Sequence, residues 1–474
     1  MKKYESSYKK LGHDFYSEVK PEKAEGAKLF AYNEELANEI GLNFDDGIDK
    51  ELILSGNQTF LHSPISLVYA GHQFGHFNPK LGDGRACVIA ESNGYDIQLK
   101  GSGRTPYSRR GDGKSPIGPV VREYLLSEAM HALGVPTTRS LAAVRTEEVI
   151  MRNTVSFGGV FTRVAKSHLR IGSFQYWAAK GKVEQVKELA DYAIERLYPD
   201  IKNDKDLYLS LFREVAKKQV ALIPKWMSVG FIHGVMNTDN TSISGETIDY
   251  GPCAFMDEFD YYKVFSSIDR DGRYAYGSQL NIIMWNLARF ADSLLPLINS
   301  DTEKAVKTLE EELKYFNDLL VMNHKREFAK KLGVLDENYS DADDELVETF
   351  LIYLQDEKLD FTNTFRALGD LLRGSEEKFV QNDRFKKFKS RWLSRVSKKD
   401  IEKFTQELNL VNPYLIPRNH LIEEAIIQVN DNKYELFYEL GEALKNPFQD
   451  NKDFAKFSAP PKENEVVKMT FCGT

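Results

Sequence analysis

"HGVMNTDNTSISGETIDYG", His233 to Gly251, is the stretch on which the reading of this chain turns. A His-led loop runs to Asn240, a Gly-bearing spacer follows, and Asp249-Tyr250-Gly251 begins nine residues after Asn240. Asn240 and Asp249 offer amide and carboxylate oxygens, the donors a hard divalent cation prefers. Val235, two residues after the His, cannot accept a proton, which leaves Asp239 as the nearby carboxylate able to act as a base. The spacer Ser242–Ile248 reads as a hairpin turned at Gly245. The plainer alternative is a turn whose Asn and Asp serve only as caps and turn formers.

Upstream, Ala86–Glu91 and Tyr95–Lys100 alternate as two strands joined by a Ser-Asn-Gly turn suited to a tight hairpin. A polar loop, Gly101 to Lys114, carries Arg104, Arg109, Arg110 and Lys114. The next stretch, "SPIGPVVREYLLSEAMHALGVP", carries helix signals: Ser115-Pro116 in front, apolar spacing within, and Gly134 and Pro136 behind. "TTRSLAAVRTEEVIMR" and "GGVFTRVAKSHLRIG" read as extended segments. Beyond Phe174 the pattern turns helical, with helices expected over Val183–Leu197 and Leu207–Met227 and several more between residues 278 and 450. The first 60 residues are mixed, with a helical patch at "EELANEIGL", and residues 451–474 read as a tail.

A strand-rich part followed by a helical part is the order of a protein-kinase-like fold, α+β and two-lobed, with nucleotide in the cleft between lobes. The expected division is residues 1–60 as an N-terminal extension, 61–175 as the β-rich nucleotide-binding lobe, 176–450 as the helical lobe with its C-terminal extension, and 451–474 as the tail. A kinase needs a strand-end Lys for phosphates, and a carboxylate on the next helix to orient it. Lys100 ends a strand and Glu123 lies on the following helix, although a surface Lys and a helix-face Glu would look the same. The kinase catalytic loop reads H-R-D-x-x-x-x-N. His233 and Asn240 match it, while Val235 takes the place of the catalytic Asp.

Two other motifs fail. Gly113-Lys114-Ser115 fits the end of a phosphate-binding P-loop, but Ser108 stands where its first Gly belongs. His72 and His76 have the spacing of two zinc ligands on a helix, but Gly71 and Gly75 disfavour the helix and no third ligand accompanies them. A net charge of −8 over 474 residues argues against non-specific nucleic-acid binding. The chain holds no run of ~20 apolar residues and no secretory leader pattern, so neither membrane insertion nor export is expected. Three cysteines, Cys87, Cys253 and Cys472, make no disulfide scaffold and suit a reducing cytoplasm.

The segments "YAGHQFGHFNPKLGDGRA", "QLKGSGRTPYSRRGDGKSPIGPVVREYL" and "HGVMNTDNTSISGETIDYGP" together resemble the selenoprotein O family of pseudokinase protein adenylyltransferases, most clearly from Phe60 to Asp257. The resemblance implies ATP bound in a flipped orientation and transfer of AMP to Ser, Thr or Tyr hydroxyls of protein substrates, self-modification included. It implies that Gly82, Gly84 and Arg85 form the glycine loop over the nucleotide. Lys100 would hold phosphate and pair with Glu123, Asp112 and Gly113 would contact nucleotide, and Arg163 and Arg170 would bind phosphates. Asp239 would be the proton acceptor, with Asn240 and Asp249 holding Mg²⁺ or Mn²⁺. Cys472 would be a redox residue with Cys253 as its candidate partner; a free tail thiol is the alternative, and Cys87 reads as a buried small residue. Two further readings stay open: UMP transfer from UTP with manganese, and a non-catalytic nucleotide-binding scaffold.

Overall fold

The computed structural model describes residues 4–44, 48–60, 62–152 and 154–471. In chain order the strands are β1 (Tyr16–Glu18), β2 (Lys28–Tyr32), β3 (Ile65–Leu67), β4 (Gly71–Gln73), β5 (His76–Asn78), β6 (Ala86–Ser92), β7 (Tyr95–Lys100), β8 (Ser115–Pro116), β9 (Arg139–Met151) and β10 (Val155–Ala165). One antiparallel sheet runs β1-β3-β6-β7-β10-β9-β2, with β8 added on β10, while β4 and β5 form a separate small hairpin. The first helices are α1 (Glu34–Glu39), α2 (Lys50–Leu54) and α3 (Ile117–Ala132).

The period-two alternation of β7 sorts its side chains onto two faces. Ile97 and Leu99 point to one face and join Val160, Val164 and Leu141 under Leu36 and Ile40 of the α1 segment and Ile53 and Leu54 of α2. Each such side chain, moved wholly out of water, contributes roughly 2 kcal/mol. Gln98 and Lys100 point the other way, opposite Arg163 and Phe161 of β10. That second face is covered by α3, whose Ile117, Val120 and Val121 are fully buried. The first 60 residues thus supply two strands and two helices to the same layered unit.

Local rules account for the key joints. Asn93 and Gly94, with φ of 45° and 79°, close the β6–β7 hairpin in the double left-handed turn that Asn-Gly favours. A register shift in β10 between Thr162 and Arg163 locally re-aims the strand beside the cleft. α3 ends where Gly134, at φ 74°, turns the chain and Val135 N–H donates to the Met130 carbonyl.

The rest is mainly helical: α4 (Ile171–Ala178), α5 (Val183–Leu197), α6 (Leu207–Ser228), α7 (Gln279–Ile298) and α8 (Thr302–Lys331), followed by further helices to Ala443. α6 packs against both α7 and α8. No helix among the described residues is long and apolar enough to cross a membrane.

One expectation needs correction. Residues 242–248 turn at Gly245, but the arms do not pair with each other; Ser242 bridges Arg170, and Thr247 bridges Thr137. The hydrogen-bond partners that a hairpin would supply internally come from distant segments instead. In the expected C-terminal tail, Lys452–Ser458 forms 3₁₀ turns and Thr470 bridges Ser266. Near the other end of the sheet, Phe30 of the edge strand β2 stacks edge-on to Phe437, and its carbonyl accepts from Tyr438 Oη at 2.6 Å.

Candidate active site

A cavity of about 460 Å³, ordinary for a small-molecule site, opens between β6, β7 and β10 on one side and the 235–249 loop on the other. At its inner end Lys100, at the end of β7, pairs with Glu123 of α3 and donates to Asp249 Oδ1 at 2.6 Å. Arg163, on β10, holds the other Glu123 oxygen at 2.5 Å and reaches Gln98 at 3.2 Å. The sequence pairing of Lys100 with Glu123 is therefore present, with Arg163 as a third member. Burial alone would raise the Asp249 carboxyl, but Lys100, Arg163 and Arg85 together hold it well below the usual carboxylate range. Asp249 also adopts φ 69°, a strained backbone state for a non-glycine residue.

The His-led loop is braced from behind. His233 Nε2 donates to the Ile248 carbonyl at 2.9 Å, and its Nδ1 accepts from Val235 N–H at 3.3 Å. The ring is neutral, its pKa lowered by burial, and it ties the loop to the residue before Asp249. Val235 lines the cavity and offers it no titratable group. The Asn240 side-chain N–H₂ donates to the Val235 carbonyl at 3.0 Å, which leaves the amide oxygen as its free acceptor. Asp239 is different again. Its Oδ2 accepts from Gln73 Nε2 at 3.0 Å, while its buried Oδ1 has no hydrogen-bond partner. Burial pushes this carboxyl up to about 6. Arg170 reaches the Asp239 carbonyl at 3.0 Å and stacks over the Tyr69 ring.

The outer part is built by the loop after β7. Gly82, at φ 110°, lies so close to Tyr107 that a Cβ there would meet the ring at 2.5 Å. Glycine at that position makes room for the 101–114 loop, a packing requirement in addition to any approach to phosphate. Gly84, Arg85 and Gly113 line the same cavity. Asp112 does too, clamped in bidentate fashion by Arg152 at 2.7 and 3.0 Å, so that its carboxyl stays below its ordinary pKa.

A family model described as "Protein adenylyltransferase SelO" matches residues 1–445 of the chain. The chain belongs to the SelO family. Proteins named "Protein nucleotidyltransferase YdiU" are similar over the whole length. The one from Clostridium perfringens is 46% identical over 99% of this chain and 97% of its own length. That from Bacillus mycoides is 46% identical over 99% and 98%, and that from Agrobacterium fabrum is 45% identical over 100% of each.

In this SelO-family chain the cavity gathers every nucleotide, base and metal candidate read from the sequence, with Glu123 immediately behind Lys100. The cysteines lie elsewhere. Cys253 is fully buried, its thiol pushed up to about 12 by burial, and Cys87 is buried in the sheet; Cys472 lies outside the described residues. His72 and His76 sit on the β4–β5 hairpin, and no group of three or more His, Cys, Asp or Glu poised for a metal occurs among the described residues. Asn240 and Asp249 nonetheless offer oxygen donors of the kind a hard divalent cation takes together with phosphate and water.

Sequence reasoning missed Asp83, Gln73 and Arg152. Asp83 is buried between the two glycines of "LGDG", accepts from Leu67 N–H at 3.1 Å and Gln98 at 3.3 Å, and faces Arg170 at 4.0 Å. Its place between two cavity glycines was the available signal. Gln73 and Arg152 carried none, because each meets its partner across a long stretch of chain.

Proposed function

We propose that the cleft transfers AMP from ATP to Ser, Thr or Tyr hydroxyls of protein substrates and releases pyrophosphate. The observation that carries this reading is the gathering of cationic side chains around one cavity, which suits a polyphosphate. Seven cationic side chains against four carboxylates line it, and three of the cations, Arg163, Arg170 and Lys100, are only 4–7% exposed. Glu123, Asp249 and Asp83 already face these three cations, and phosphate oxygens entering the cleft would share them. In this reading the triphosphate points inward and the base outward, toward the loop holding Asp112 and Gly113, the flipped orientation that the family resemblance implies.

In the transfer step the substrate hydroxyl oxygen forms a bond to the α-phosphorus, and the bond from that phosphorus to the oxygen bridging the β-phosphate breaks. The hydroxyl proton passes to the Asp239 carboxylate, whose raised pKa suits a general base. Charge growing on pyrophosphate falls to Lys100, Arg163 and Arg170. A divalent cation held by Asn240 and Asp249 would neutralise phosphate charge. Glu123 fixes Lys100 and Arg163 in place, and Val235 leaves the floor free of a competing base.

The architecture supports a kinase-like division into a sheet lobe (residues 61–175, wrapped by 1–60) and a helical lobe (176–450), with the cleft between them. The approach of Thr470, whose hydroxyl donates to the Pro252 carbonyl, supports redox control near Cys253, and a reducing cytoplasm is the setting that fits both buried thiols.

Incubation with ATP labelled separately at the α- and γ-phosphates, with Mg²⁺ or Mn²⁺, tests the reading. Covalent label on protein from the α position alone is expected. Label from the γ position alone overturns it.

A further inference from the structure

A second concavity, about 710 Å³ in volume, shares no residue with the cleft. Its apolar surface comes from three segments: Phe259, Tyr261 and Tyr262 after Asp249, Phe328 of α8, and Leu351 and Ile352 of the helix Asp341–Asp356. Tyr262 is 73% exposed and Ile352 45% exposed, an unusual amount of uncovered apolar surface around one hollow. The aromatic wall is fixed in place: Tyr261 N–H donates to Gln355 Oε1 at 3.2 Å, and Phe259 N–H to the Leu359 carbonyl at 2.9 Å.

The polar lining is one-sided. Asp341, Asp344, Glu345, Glu348 and Asp356 face a single lysine, Lys325, and that lysine is occupied by Asp344 at 2.8 Å. Arg391 reaches Glu345 at 3.5 Å and Arg384 pairs with Asp356. Asp341 and Glu348 have no ion-pair partner among the described residues. His324, pushed down to about 4 by burial, adds no positive charge at neutral pH.

The geometry points to a docking groove for a basic, apolar-anchored peptide segment of the protein substrate. An aliphatic or aromatic side chain fills the floor. Lys or Arg side chains lie over the tyrosine rings and toward the unpaired carboxylates, combining cation–π and charge attraction. One loop joins this groove to the cleft, since Tyr262 walls the groove and Ile268 lines the ATP cavity. Six residues of chain span at most ~20 Å, so a substrate with its basic segment some six or more residues from the acceptor hydroxyl can occupy both places.

The role as a substrate dock rests on the AMP-transfer reading, whereas binding to the groove does not, and the test separates them. A fluorescein-labelled dodecapeptide of mixed Lys, Arg, Leu and Phe is titrated against the full-length protein without ATP, beside a counterpart with Glu in place of the basic residues. Only the basic peptide is expected to bind. A photo-crosslinking version should label residues 259–262 or 341–356, and Glu348→Lys and Tyr262→Ala should each weaken binding about tenfold or more while leaving ATP binding unchanged. Crosslinks elsewhere, equal binding of the acidic peptide, or unchanged affinity in both variants overturns the groove. So does a concentration-dependent dimer that Glu348→Lys dissolves, because the occupant would then be a second copy of this chain. In the transfer arm, fusing the basic peptide to a hydroxyl-bearing acceptor should lower KM about tenfold at constant kcat, and Glu348→Lys should cancel that gain. An unchanged KM with transfer intact overturns the substrate role. Absence of any AMP transfer overturns the activity reading, and the binding arm still decides the groove.

Discussion

Asp239 and Asp249 stand ten residues apart on one loop and line one cavity, yet their surroundings treat them oppositely. Asp249 is gripped by Lys100 and faces Arg163 and Arg85, so it stays ionised and able to hold cations. Asp239 is buried with one oxygen unpartnered and rises to about 6. Environments that push two carboxyls apart mark a division of labour. Here one arranges charge while the other is available for a proton.

The sharpest way to break this contrast is Asp249→Ala. Transfer from α-labelled ATP should fall on the order of 10³-fold or more, with a far-ultraviolet circular dichroism spectrum like that of the parent. A variant that kept most of its activity would show that Asp249 arranges nothing essential. Asp239→Asn removes the proton acceptor but keeps the shape and the Gln73 contact. A drop in kcat of about 10²- to 10³-fold is expected, with ATP affinity nearly unchanged by calorimetry; a loss appearing in affinity instead would give Asp239 a binding role.

Arg152→Ala sharpens the outer end of the comparison. Freed of its guanidinium clamp, Asp112 loses its fixed orientation, and KM for ATP should rise about fivefold to tenfold with a smaller change in kcat. Steady-state kinetics at varied ATP decides this.

Glu246 serves as the control carboxylate. It lies on the same loop but outside the cleft, accepts from Ser244 Oγ at 2.7 Å and Lys166 N–H at 3.1 Å, and is pushed by burial up to about 7. Its folded pKa exceeds its unfolded one, so the stability it contributes is complete below about pH 4.5. That contribution declines between about 4.5 and 7 and is gone above. Glu246→Gln should therefore stabilise the protein on the order of 2 kcal/mol at pH 8, have almost no effect at pH 4, and leave AMP transfer intact. Urea unfolding at both pH values measures it. Equal effects at the two pH values would show that burial is not what shifts this group.

These contrasts also explain how much could be read from the sequence. The β6–β7 hairpin, α3 and the Lys100–Glu123 pair were legible because they depend on local periodicity, an Asn-Gly turn and a short separation. The 242–248 segment misled because Gly245 signals a turn without saying what its arms pair with, and those partners lie at Arg170 and Thr137. Gly82 was read as an approach to phosphate, yet its first constraint is the Tyr107 ring, a contact between segments that no spacing rule reveals. Arg152 escaped for the same reason: it reaches Asp112 across 40 residues.

The contact of Phe30 with Phe437 and Tyr438 has a consequence for synthesis on the ribosome. β2 is an edge strand, with β9 on one side and the Tyr434–Tyr438 stretch over Phe30. A growing chain can pair β2 with β9 once β9 has emerged, but the cover at Tyr434–Tyr438 follows much later in synthesis. Until then the Phe30 carbonyl on that edge is open to other chains, while Glu51 of α2 already caps the Leu29 N–H at 2.8 Å. A product stopped short of Tyr434 would lack that cover, so such truncations should yield aggregates rather than a shortened working enzyme.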